Sequence, residues 1–180
     1  RECSSVTSSR FSSQRELSVD TPKAKLFLDA DGVLLGHAAV GDSAYVLANH
    51  ALPFLRFVTG AFDTQWATTH CREGNSDHVV QYLGDHAPAD QKDEITRLAR
   101  LITPTSFNVA KTDLFEDHAE DDWLWLDDSP LAFEVKELNE RGWQDRFLRV
   151  NTQKSPDDLL RAMKLLKNHL SRGTVCPSWV

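Results

Sequence analysis

The chain has no apolar run near the roughly 20 residues that a helix needs to cross a bilayer. Its first residues also lack the apolar core of a secretion signal. Cysteine is scarce: Cys3, Cys71 and Cys176 are odd in number and far apart. They form neither a disulfide framework nor a CxxC site and favour a reducing compartment, so the expected location is cytoplasmic. Positive charge is short too, with 20 Lys and Arg against 27 Asp and Glu and a net charge of −7. That disfavours a broad basic face for nucleic acid or for an anionic membrane, while leaving room for a local positive pocket. The histidines show no HExxH or Cys/His ligand spacing. No internal repeat is present. What remains suits one soluble globular domain: 180 residues, 41% hydrophobic and 26% charged, enough to bury a core without staples.

Residues 1–20 hold seven serines and little that could be buried, so a flexible arm is expected ahead of a single domain over 21–180. KAKLFL, 23–28, is a short apolar run ending in DADG, as in a strand buried on both faces. Asp42 is a candidate N-cap for a helix over AYVLANHALPFLRFV, with Pro53 as a kink or break. TQWATT, 64–69, is β-branched and aromatic and predicts a strand. Helices follow at 76–83, stopping at Gly84, and at 90–102, where Ile95, Leu98, Leu101 and Ile102 share a stripe. A polar stretch with Lys111 leads to DWLWLDD, 122–128, a third strand. Ser129 and Pro130 then start a helix that Gly142 ends. RFLRV, 146–150, is a fourth strand, and Ser155 and Pro156 start a last helix that runs to Gly173. Strands alternating with helices predict an α/β fold: a three-layer α/β/α sandwich with a mainly parallel, Rossmann-like sheet. In such sheets ligands sit beyond the carboxyl ends of the strands, which here carry DAD, TTH and DDS.

Asp29 and Asp31 stand two apart at a strand end, so their side chains leave one face. Two carboxylates that close repel unless a cation joins them or one is protonated. Gly32 beside them permits a sharp turn and close approach of a ligand. Asp127 and Asp128 repeat the theme on another strand. Acids at strand ends are often only caps and loop residues. Two pairs on two apolar strands of one small domain make that reading weaker and suggest a site of hard oxygen ligands, as Mg²⁺ prefers.

These motifs resemble the haloacid dehalogenase superfamily of phosphohydrolases. LFLDADGVL, 26–34, matches its first motif, an apolar strand followed by DxDG. TQWATT matches the second, a strand ending in Thr or Ser, and WLWLDD the fourth, a strand ending in two acids. Lys111 is the best candidate for the lone basic residue of the third. The resemblance spans about residues 23–150 and implies roles. Asp29 is the expected nucleophile, giving an aspartyl-phosphate. Asp31 is the expected acid and then base, its backbone carbonyl also on the metal. Thr68, with Thr69 as the fallback, is expected to bind the transferring phosphoryl group, and Lys111 to neutralise its charge. Asp127 and Asp128 complete a Mg²⁺ site with Asp29 and Asp31, Asp128 being the favoured direct ligand of that pair. The segments between motifs leave space for little beyond the core, so a capless or nearly capless enzyme is expected, open to large and even macromolecular phosphorylated substrates. WATT with WLDD is also similar to short bacterial domains of the superfamily linked by prediction to RNA repair, which the −7 charge does not favour.

Two other classes compete with a Mg²⁺-dependent phosphatase: a metal-dependent nuclease or nucleic-acid end-processing enzyme, and a binding or regulatory domain of the same fold without turnover. A nuclease needs neither an aspartyl nucleophile nor the Thr, and a domain without turnover is expected to have lost a motif acid. A signalling receiver domain also uses Asp, Thr and Lys, but in a different order. Trp66, Trp123 and Trp125 are expected in the core rather than as base-stacking platforms. His70 and Cys71, just after the second motif, could line the pocket as substrate contacts, but are expected to be loop residues. The acidic run 116–122 is expected to be a solvated connection.

Overall fold

The computed structural model describes residues 22–37, 39, 41, 44–71 and 74–172. The serine-rich arm at 1–20, the expected cap Asp42 and the expected stop Gly173 lie outside the described residues. In chain order the first elements are β1 (Lys25–Leu28), β2 (Leu35–Gly36), β3 (Val46–Leu47), α1 (Ala51–Ala61) and β4 (Asp63–Trp66). Then come α2 (Asp77–His86), α3 (Lys92–Ala99), a 3₁₀ helix over Lys111–His118, and β5 (Trp123–Asp127). The remainder is α4 (Ala132–Glu140), a short 3₁₀ turn at Gln144–Arg146, β6 (Phe147–Arg149) and α5 (Asp158–Arg172).

The main sheet has four strands in the order β4-β1-β5-β6, and each neighbouring pair is parallel. Leu28 lies opposite both Trp66 and Leu126, so β1 ends level with β4 and one residue short of β5. β2 and β3 form a separate antiparallel pair. Alternate side chains of a strand leave opposite faces, and here each face feeds its own core. Leu26, Leu28, Leu124 and Leu126 join a cluster with Phe54, Leu55 and Val58 of α1, Leu83 of α2, Ile95 of α3 and Leu159 of α5. Phe27, Trp123 and Trp125 join Phe115 of the 3₁₀ helix and Leu138 of α4. Burial of both faces is why β5 is continuously apolar up to its terminal acid. Phe115 stacks on Trp123 with ring centroids 4.5 Å apart, a pair that adds about 0.5–1.5 kcal/mol beyond area burial.

The fold is thus α/β, with a parallel four-stranded sheet flanked by helices. Among the described residues no helix is long and apolar enough to cross a membrane.

Several local expectations shift. The segment before α1 is not helical: Val46–Leu47 pairs with Leu35–Gly36, and the helix begins only at Ala51. Pro53 therefore falls in the first turn of α1 and breaks nothing, because the amides of a first turn have no intrahelical partner. Gly84 does not stop α2, which runs on to His86. Instead it marks a close approach: a Cβ there would come within 2.7 Å of the Thr96 methyl on α3. α3 ends at Ala99, which leaves Leu101 60% exposed while Ile102 is buried. α4 starts after Leu131 rather than at Ser129, and Gly142 follows its end with φ +69.

Candidate active site

The carboxyl ends of β1 and β5 are adjacent because the two strands pair in parallel, and this brings both acidic pairs to one edge of the sheet. Asp29 follows directly after β1, tied to β5 by its N–H, which donates to the Leu126 carbonyl at 3.0 Å. Its carboxylate is buried, and Oδ1 accepts the Ala30 N–H at 2.7 Å. Asp127, the last residue of β5, is also buried and accepts the Ser129 N–H on Oδ1 at 2.8 Å. Lys111 connects the two strands. Its Nζ donates to Asp29 Oδ2 and to Asp127 Oδ2, each at 2.5 Å.

The electrostatics follow from burial. Two carboxylates share one ammonium inside the protein. Loss of water raises the Asp29 carboxyl to about 8, opposed by Lys111 and reinforced by the charge of Asp127. Lys111 loses water too, yet the two carboxylates hold it above its ordinary value. Asp128 is raised in turn by burial and by Asp127. Ligand oxygens of Asp29, Asp127 and Asp128 all lie within 4.8 Å of one another, close enough to hold one metal ion. Such a set of hard oxygen donors, crowded beside a single ammonium, fits a divalent cation.

Gly32 shapes the turn between these acids. It sits at φ +68, and a Cβ there would come 2.2 Å from Cγ of Asp128. Its carbonyl accepts both the N–H and the hydroxyl of Thr152, at 2.8 and 3.0 Å, which ties the DxDG turn to the chain after β6. Asn151 donates to Asp128 Oδ2 at 3.3 Å.

The chain after β4 stays beside β1, since the Ala67 N–H donates to the Leu28 carbonyl at 2.8 Å. Thr68 is fully buried just beyond, whereas Thr69 is exposed. Asp31 is more open than Asp29 or Asp127, with its side chain 40% exposed, and its Oδ2 lies 2.9 Å from Nε2 of His70. His70 is therefore no bystander of the loop. Cys71 is buried, and loss of water pushes its thiol up, which leaves it a poor nucleophile. Trp66, Trp123 and Trp125 are buried in the core, and among the described residues their indole N–H groups find no acceptor. The 116–122 run is partly the end of the 3₁₀ helix, and its Asp122 carboxylate lies 3.1 Å from Nε2 of buried His169.

Two contributors escape the sequence patterns. Glu134 is a buried acid on α4. One of its oxygens accepts the Lys111 N–H and the other the Leu131 N–H, both at 2.7 Å. It thereby fixes the backbone that carries the central ammonium. An acid three residues into a helix is a known capping signal, but it was visible only with α4 starting at Ala132. His70 has no such signal, because its partner is 39 residues away.

Comparison with known proteins gives no match to a family model, to a curated protein or to a solved structure.

Proposed function

We propose that the protein is a Mg²⁺-dependent phosphatase that hydrolyses phosphomonoesters through an aspartyl-phosphate on Asp29. The observation that carries this reading is Lys111 bridging Asp29 and Asp127 across two neighbouring parallel strands, with Asp128 beside them. A cation-binding acidic cluster with a fixed ammonium suits a phosphoryl group, which carboxylates alone would repel. Its likeness in motif order to the haloacid dehalogenase superfamily points the same way. The two separate cores on the faces of the sheet fit a three-layer sandwich of that kind, and the scattered cysteines fit the cytoplasm.

Asp29, Asp127 and Asp128, with the backbone carbonyl of Asp31, would hold Mg²⁺, which supplies positive charge to draw in and orient the phosphoryl group. An Asp29 carboxylate oxygen attacks phosphorus as the ester P–O bond breaks, and Asp31 gives its proton to the leaving oxygen. Asp31, now a carboxylate, takes a proton from water. That water attacks the aspartyl-phosphate, releasing inorganic phosphate and restoring Asp29. Lys111 offsets the charge on the phosphoryl oxygens, and Thr68 contributes a hydrogen bond to them. Between Asp31 and β4 the described residues form only β2, β3 and α1, and α1 packs into the core, which suits a minimally capped enzyme open to large phosphorylated substrates.

The test is phosphate release with Mg²⁺ from p-nitrophenyl phosphate, nucleotides, sugar phosphates, phosphopeptides and 5′- or 3′-phosphorylated oligonucleotides, run beside Asp29→Asn. Turnover lost in the variant supports the reading, and the preferred class names the substrate. Wild-type activity retained by Asp29→Asn removes the covalent mechanism. Silence across the panel with Mg²⁺ still bound favours a binding or regulatory domain, and oligonucleotide cleavage without phosphate release favours a nuclease.

A further inference from the structure

His70 stands between the general acid of the proposed reaction and a group of rings on α2. Its Nε2 lies 2.9 Å from Asp31 Oδ2, and its Nδ1 lies 3.2 Å from Nδ1 of His78. The imidazole packs on Tyr82 with ring centroids 4.5 Å apart, and Tyr82 packs on His86 at 4.7 Å. The backbone beside His70 is pinned as well: the Cys71 N–H donates to the Thr68 carbonyl at 3.0 Å, and Cys71 is buried. The His70 side chain is 19% exposed against 40% for Asp31. The imidazole thus touches an open carboxyl, which the Tyr82 hydroxyl also reaches.

We infer that His70 is a positioning residue for Asp31, holding its carboxyl toward the leaving group through both halves of the reaction. The inference rests on the phosphatase reading above. Its chemical basis is the two-sided nature of a neutral imidazole, which carries one donor and one acceptor. When Asp31 is a carboxylate, the His70 Nε2–H donates to it and Nδ1 accepts from the His78 Nδ1–H. When Asp31 carries the proton for the leaving group, its hydroxyl donates to Nε2 and the His70 Nδ1–H donates to His78 Nδ1, the ring protons having moved through solvent at the exposed His78, which then carries its own proton on Nε2. The same two contacts serve both states by reversing their direction, so Asp31 keeps its place as its proton comes and goes. An amine or guanidinium in place of His70 has no acceptor and could hold only the carboxylate.

A defect in the general acid has a signature that a structural defect lacks. Esters with basic leaving groups need the proton, and esters with acidic leaving groups need it little. The experiment compares an alkyl monoester, glycerol phosphate, with p-nitrophenyl phosphate for wild type, His70→Ala and His70→Gln. The Gln amide keeps a donor and an acceptor at about the reach of Nε2. We expect His70→Ala to lose about 10-fold in kcat on the alkyl ester, a fraction of the 10²–10⁴-fold that general acid–base catalysis provides. The loss on p-nitrophenyl phosphate should be several-fold smaller, KM should change little, and His70→Gln should recover part of the alkyl activity. Equal losses on both esters, or faster turnover of the alkyl ester, overturn the inference; the second would mean that His70 holds Asp31 away. Long-range ¹H–¹⁵N spectra of the imidazoles read the contact without turnover. Asp31→Asn should shift the His70 ring nitrogens, and unmoved resonances also overturn the inference. A wild type inactive on both esters sinks the phosphatase reading and the catalytic role with it, whereas active wild type with uniform losses sinks only the role of His70.

Discussion

A Cβ on Gly32 would stand 2.2 Å from Cγ of Asp128, so the turn that carries Asp31 and the end of the β5 segment touch with no space for a side chain. The backbone conformation agrees, since φ +68 at this residue is the left-handed region. Gly32→Ala should therefore lower stability by about 1–2 kcal/mol from the backbone alone, and more from the displaced Asp128. Mg²⁺ affinity should fall with it. Urea unfolding and calorimetric Mg²⁺ titration check both, and an Ala variant with unchanged stability and affinity contradicts the packing.

Above about pH 8, where Asp29 is ionised, removing the Lys111 charge leaves the Asp29 and Asp127 carboxylates buried and facing each other. Breaking a buried ion pair from one side costs about 3–5 kcal/mol, so Lys111→Met should be strongly destabilised and inactive. The double variant Lys111→Met/Asp29→Asn should lose clearly less stability than the two single losses added together, because it no longer buries the second charge. Additivity in that cycle, measured by chemical unfolding, would show that the 2.5 Å contact carries no coupling.

Glu134 reaches the site only through the backbone. Its carboxylate accepts the Lys111 and Leu131 N–H groups, and it is buried. Glu134→Ala orphans two amides and should cost about 1–3 kcal/mol. It should also lower kcat by loosening Lys111, while Glu134→Gln, with one acceptor oxygen left, falls between. Equal turnover in Glu134→Ala and wild type, once both are shown folded, removes this link between α4 and the ammonium.

The apolar runs of β1 and β5, each ending in acids, made the parallel sheet and the meeting of Asp29 with Asp127 legible from the residues alone, because burial on both faces leaves few places for such runs. Thr68 against Thr69 was a matter of strand parity, and the buried residue is Thr68. What stayed hidden depended on contacts distant in sequence or on short elements. Two-residue strands such as β3 have no period to detect, so Tyr45–Leu47 passed for helix. Gly84 resembled a helix stop when its cause was the Thr96 side chain on the next helix. His70 resembled a loop residue because nothing in TTH foretells Asp31 at 2.9 Å.

The raised Asp29 carboxyl ties stability, pH and metal together. Without a divalent cation, its pKa is about 8 in the folded protein against 3.8 for the ordinary group. The folded state then binds a proton that the unfolded chain has lost, so the sign is a decline with rising pH. Its contribution to stability is full below pH 3.8, falls across the interval up to about 8, and levels off beyond. The local slope is about 1.4 kcal/mol per pH unit for one proton. Asp29→Asn, which cannot ionise, should flatten that decline in unfolding curves recorded in chelator. Mg²⁺ needs the carboxylate, so it should bind more tightly as pH rises toward 8 and release up to one proton per ion below that value. Calorimetry of Mg²⁺ binding at about pH 6 in buffers of different ionisation enthalpy, a pH chosen to lie midway in the window, counts the proton directly. A proton count of zero at that pH, together with an unfolding profile identical to that of Asp29→Asn, would mean that Asp29 is already ionised in the metal-free fold, with Lys111 outweighing burial.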